Sequence, residues 1–125
     1  MTSNKRAVVA GHADYAAGMV SAVAQIAGLG DMFVPVSNTG LGPEAIEAAL
    51  REQLQASGAR VIFTDLPAGS ATLAARRVAR TDAGLTVVTG ASLPALLSWA
   101  CGCELSVAVA KGKDSIVLLE GAGGP

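Results

Sequence analysis

The sequence predicts an α/β fold, a parallel four-stranded core sheet with helices on both faces, and three observations carry that expectation. Four short runs containing Val or Ile recur, at Ala7 to Ala10, Met32 to Val36, Arg60 to Thr64 and Leu85 to Thr89. Turn residues such as Gly11, Gly30-Asp31, Ser57-Gly58 and Asp82 to Gly84 bound them. Between the runs lie segments of helix length whose apolar residues follow a helical period. Strands joined by helix-length crossovers form βαβ units, and such units build parallel sheets.

In the first interval Met19, Val20, Val23, Ile26 and Ala27 fall at helix spacing, and Gly28 and Gly30 close the segment. In the second, Pro43 suits a first helical turn, Glu44 and Glu47 lie near the positive helix end, and Ile46, Ala49, Leu50 and Leu54 form an apolar stripe. The third runs from Ser70 to Arg80, with Ala71, Leu73, Ala74, Ala75, Val78 and Ala79 facing inward and Arg76, Arg77 and Arg80 solvating the other side. Ser92 is an expected N-cap for a fourth helix reaching about Ala100, and Glu104 to Gly112 reads as a fifth. Ser115 to Leu119 is a further β-rich run, and the Gly-rich 120–125 is expected to fray.

The 125 residues suit one domain spanning 1–125. Hydrophobic residues make up 51% of the chain and aromatics only 3%, so Ala, Val and Leu must fill a closely layered core rather than line a large aromatic cavity. Nine basic against ten acidic residues give a net charge of -1, which excludes the positive footprint of a nucleic-acid groove. Ala16 to Leu29 is apolar but too short to span a bilayer, and no cleavable hydrophobic segment follows Lys5-Arg6, so a cytoplasmic location is expected. Cys101 and Cys103 are two apart, which disfavours a bridge. With one histidine they fall short of a zinc set, and neither GxGxxG nor GxxxxGK[ST] stands where a cofactor would need it. No metal and no cofactor are expected.

Ligands of open parallel sheets bind beyond the carboxyl ends of the strands. Those ends deliver Gly11-His12-Ala13-Asp14, Ser37-Asn38-Thr39-Gly40, Asp65-Leu66-Pro67-Ala68-Gly69-Ser70 and Gly90-Ala91-Ser92. His12 is the chain's one histidine and stands between a buried-looking strand and a helix. An imidazole accepts a phosphoryl group well, because one nitrogen attacks while the other holds a hydrogen bond that fixes the tautomer. Asp65 can supply that partner if its strand neighbours the first. The helix start after Asp14 and the Gly69-Ser70 turn offer N–H groups for the added negative charge. Structural readings stand beside these: a lone loop histidine, Asp65 and Ser70 as caps, Asp14 capping the first helix, and Ser37, Asn38 and Thr39 as ordinary turn residues.

Three segments resemble the IIA domain of the mannose/fructose/N-acetylgalactosamine family of the phosphoenolpyruvate-dependent sugar phosphotransferase system (PTS). They are Val8-Val9-Ala10-Gly11-His12, Val61 through Ser70 with the Ala-rich helix after it, and Val87 through Leu97. The resemblance implies a cytoplasmic phosphocarrier that takes a phosphoryl group onto His12 from the histidine phosphocarrier HPr and passes it to a IIB component, associating only indirectly with the membrane permease. It implies that Asp65 orients His12 and that Ser70, Gly69 and Ala13 border the phosphoryl group. It also implies a homodimer in which the fifth strand, Ser115 to Leu119, pairs into the partner's sheet. Ala13 departs from the family's usual Gly after the histidine, and Leu66-Pro67-Ala68-Gly69 from an aromatic-Gly-Gly pattern. The competing expectations are a phosphocarrier subunit of a dihydroxyacetone kinase, with the same site and another recipient, and a non-catalytic small-ligand binding module.

Overall fold

The computed structural model describes residues 5–122; the end of the expected frayed tail lies outside the described residues. The strands are β1 (Ala7–Gly11), β2 (Phe33–Ser37), β3 (Val61–Thr64) and β4 (Thr86–Val88). The helices are α1 (Tyr15–Ala27), α2 (Pro43–Ser57), α3 (Ser70–Arg80), α4 (Leu93–Ala100) and α5 (Leu105–Asp114). All strand pairs are parallel, in the order β2-β1-β3-β4, as right-sized crossovers require. The register sets Gly11 opposite Ser37 and Ala10 opposite Thr64, so the chain segments leaving β1, β2 and β3 emerge at one rim.

Alternation along the strands sorts the core into two layers. Val8, Ala10, Val36 and Ile62 face α2 and α3, where they meet Ile46, Leu50, Leu54, Ala71, Ala74, Ala75 and Val78. Ala7, Val9, Phe33 and Phe63 face the opposite side, against Ala16 and Val23 of α1, Leu96 and Trp99 of α4 and Ala108 of α5. Helices therefore cover both faces. The few aromatics are gathered in that second layer: Trp99 packs on Phe33 and Phe63 at ring-centroid distances of 5.7 and 5.6 Å. The small residues of α3 lie flush on the sheet in the first layer, which is how so aromatic-poor a chain closes its core.

Differences from the sequence reading have local causes. A 3₁₀ turn at Gly30–Met32 takes up Met32, so β2 begins one residue later. Gly69, at φ 132°, is the N-cap of α3, and Ser70 is its first helical residue. Asp14 and Ser92 do stand at N-caps, yet neither side chain makes a capping hydrogen bond. Arg77, expected on a solvated face, pairs with Glu47 at 2.9 Å, and Arg51 joins the same carboxylate at 3.0 Å, tying α3 to α2. The expected fifth strand is not formed within the chain. Ser115 is in a turn, 116–119 are neither strand nor helix, and Ile116, Leu118 and Leu119 are more than four-fifths exposed. A strand needs a neighbour to satisfy its backbone, and α5 delivers this segment to solvent instead.

Candidate active site

His12 leaves the end of β1 and Asp65 the end of β3, neighbouring strands in the sheet. The two meet twice. Asp65 Oδ2 accepts the His12 backbone N–H at 2.9 Å and lies 2.8 Å from His12 Nδ1. The carboxylate is one-tenth exposed while the imidazole is half exposed, so a buried acceptor holds a ring that faces solvent. Burial on its own would raise the Asp65 carboxyl. The side-chain and backbone hydrogen bonds from His12, with the charge of its ring, outweigh that cost and hold the carboxyl below the usual range. Asp65 is therefore ionised at neutral pH and can only accept, so Nδ1 carries a proton, and whenever the ring is neutral its lone pair is the one on Nε2.

The surrounding backbone is shaped to this pair. A side chain at Gly11 would come within 2.6 Å of the Tyr15 ring and 2.8 Å of the Asp65 carboxylate, so only glycine lets β3 present its carboxylate so near β1. A Cβ at Gly69 would sit 3.5 Å from His12 Cε1, which places this turn against the ring. Ser70 follows directly, and the first-turn N–H groups of α3 have no carbonyl partner within the helix. Tyr15 closes the other side. Its hydroxyl donates to the Ala91 carbonyl at 2.7 Å, and burial, followed by the Asp65 charge, pushes the phenol up to about 12, so it stays a neutral donor.

The Asp65 loop is pinned from below by two fully buried hydroxyls. Thr72 Oγ1 donates to the Leu66 carbonyl at 2.6 Å and lies 2.7 Å from Thr64 Oγ1, so Thr64 is the donor of that second bond. The loop between Thr64 and Thr72 thus has its shape set by its own buried ends.

The structure brings all five sequence-singled residues, His12, Ala13, Asp65, Gly69 and Ser70, to the rim. It also brings in two residues that the sequence presents as ordinary turn residues. Ser37 Oγ donates to the Ala13 carbonyl at 3.0 Å, and Asn38 Nδ2 donates to Ser70 Oγ at 2.7 Å. The signal available in sequence was only position, three consecutive polar residues at the end of the strand beside β1.

Ala13 is the one described non-glycine residue with positive φ, at 47°. A Cβ in that region is unfavourable by about 1 kcal/mol, and the Ser37 bond helps hold the turn there. Ala13→Gly is therefore expected to raise stability by roughly 1 kcal/mol, read as a higher urea midpoint at unchanged slope. A lower midpoint would contradict the strain.

Among the described residues no group of three or more His, Cys, Asp or Glu side chains could hold a metal ion, and Cys101 and Cys103 are free thiols. No described helix is long and apolar enough to cross a membrane.

Solved structures share this architecture over nearly the whole chain. The PTS IIA protein associated with the fucose utilization operon of Streptococcus pneumoniae superposes with a TM-score of 0.81 at 21% identity, covering 94% of this chain and 96% of that one. This chain has the IIA fold. The mannose/sorbose-specific IIA subunit of Enterococcus faecalis gives a TM-score of 0.81 at 18% identity, over 93% and 95% of the two chains. The component EIIA of Streptococcus agalactiae gives 0.79 at 16% identity, over 90% and 95%. No protein-family model matches the chain, and no curated protein matches it. The IIA fold seen here carries its rim histidine and carboxylate at the ends of its two central strands.

Proposed function

We propose that the chain is a phosphocarrier of a sugar phosphotransferase system, a IIA component that accepts a phosphoryl group on His12 from phospho-HPr and donates it to a IIB component. The observation that carries this reading is the bond between His12 Nδ1 and the buried Asp65 carboxylate, which turns Nε2, the lone-pair nitrogen of the neutral ring, to an exposed rim. In the transfer the Nε2 lone pair attacks phosphorus and the Nε2–P bond forms as the donor's N–P bond breaks, the electron pair returning to the donor imidazole. The proton stays on Nδ1, and Asp65 balances the positive charge that the ring acquires. Ser70, the Gly69 turn, the Ala13 loop and the first-turn N–H groups of α3 receive the phosphoryl oxygens. The same steps in reverse pass the group on.

An exposed imidazole suits a reaction whose substrates are other proteins, since a donor histidine must reach the ring. The site acts from the cytoplasm, where HPr and the cytoplasmic faces of permease components are found. The homodimer is supported by two features. The apolar 116–119 is exposed, and β4 is an edge strand beside a groove of about 280 Å³ lined in part by Pro67, Val88, Ala95 and Ile116. Pairing of that segment with β4 of a second copy would cover both.

The test is incubation with phosphoenolpyruvate, enzyme I and HPr, followed by mass spectrometry. A phosphoryl group on His12 that then moves to a IIB protein supports the reading. Its movement instead to a dihydroxyacetone kinase subunit would reassign the recipient, and no label would end the proposal.

A further inference from the structure

Asn38 and Ser70 stand on opposite flanks of β1. Asn38 follows β2 and Ser70 opens α3 after β3, and β1 lies between those strands in the sheet. The 2.7 Å bond from Asn38 Nδ2 to Ser70 Oγ therefore spans the end of the strand that delivers His12. The Asn38 backbone is fixed on that same strand end. Its N–H donates to the Gly11 carbonyl at 3.0 Å, and its carbonyl accepts the Leu41 N–H at 3.0 Å. Ser37, the residue before it, holds the Ala13 carbonyl and lies 2.9 Å from the Thr39 hydroxyl. The amide is thus aimed from an anchored loop.

The direction of this bond has a chemical consequence. A serine hydroxyl has one proton and two lone pairs. Asn38 occupies a lone pair, so the proton must point elsewhere, and among the described residues it has no protein acceptor. Ser70 adjoins Gly69, the turn that lies against the His12 ring. A dianionic group on Nε2 is an acceptor that this proton can serve.

We propose that Asn38 is a positioning residue for phosphoryl transfer: by donating to Ser70 Oγ across the end of β1, it commits the Ser70 hydroxyl proton to the phosphoryl group on His12. The proposal rests on the phosphocarrier reading. It does not require Asn38 to touch the phosphoryl group. Its energetic content is one oriented hydrogen bond to a charged group, a factor of about 10 in rate.

The experiment uses the whole chain and potassium phosphoramidate, a small donor that needs no protein docking. In that reaction the Nε2–P bond forms, the donor's P–N bond breaks, and the leaving nitrogen keeps the electron pair and takes a proton from water. Phosphohistidine formation is followed by ³¹P NMR, with urea unfolding of each variant alongside. Asn38→Ala is expected to slow formation by about 10-fold, and by no further amount in a Ser70→Ala background, because the residue acts through Ser70. Asn38→Asp keeps the shape and reverses the bond. Its carboxylate takes the Ser70 proton and adds a negative charge near the phosphoryl group, so a loss on the order of 100-fold is expected.

Asn38→Asp as fast as Asn38→Ala, an Asn38→Ala effect undiminished without Ser70, or wild-type rates in Asn38→Ala would each overturn the proposal while leaving the carrier reading intact. Because Asn38→Asp is nearly isosteric, it carries the test if the alanine variant unfolds: a wild-type rate in Asn38→Asp, or a loss undiminished in a Ser70→Ala background, would then overturn the proposal. Absence of phosphohistidine in the wild-type chain would end the carrier reading and this inference together.

Discussion

His12→Ala is expected to accept no phosphoryl group from phospho-HPr, a loss of roughly 1,000-fold or more set by assay background. The imidazole is half exposed, so its removal costs little packing. The backbone N–H of residue 12 still donates to Asp65 Oδ2, so the buried carboxylate is not left bare. The variant should therefore unfold at nearly the wild-type urea concentration while carrying no label. The measurement is acid-labile phosphate by mass spectrometry on a protein whose circular dichroism is unchanged. Normal labelling would move the site away from His12.

Asp65→Asn has the second largest expected effect, a slowing of transfer between about 10²- and 10⁴-fold. Two physical losses combine. The amide oxygen can still accept from Nδ1, but the charge that steadies the ring as it turns cationic is gone. The amide nitrogen must then sit where Asp65 Oδ1 sits, a buried position with no hydrogen-bond partner. Turning the amide over would instead aim its N–H₂ at two donors, the His12 N–H and Nδ1, and favour the wrong tautomer. Single-turnover rates from phospho-HPr measure the loss. Unchanged kinetics would remove Asp65 from the reaction and leave it a structural tie.

The features legible in the sequence were those written in periodicity and residue type. Short Val- or Ile-containing apolar runs bounded by turns marked all four strands, because a buried parallel strand needs apolar side chains on both faces. His12 and Asp65 were legible as candidates because strand ends of a parallel sheet converge on one rim. Their contact was expected only through the family resemblance, since nothing in the two segments themselves states that β1 and β3 are neighbours. Ser37 and Asn38 were opaque for another reason. Polar residues at a strand end satisfy a turn or a site equally well, and only the register beside β1 shows which groups they reach. Ser70 read as a cap because hydroxyls favour helix starts, yet Gly69 takes that place with a backbone conformation rarely open to a residue bearing Cβ. The 115–119 run has the composition of a strand, but pairing is a property of two segments, and among the described residues of one chain none pairs with it as a strand.

Which ring nitrogen takes the phosphoryl group decides the role of Asp65. Nitrogen and phosphorus NMR of the phosphorylated protein, with histidine labelled in ¹⁵N, reads this directly. The geometry predicts phosphorus bonded to Nε2 of His12, with Nδ1 still protonated and hydrogen-bonded to Asp65. Phosphorus on Nδ1, the nitrogen that the carboxylate holds, would contradict it.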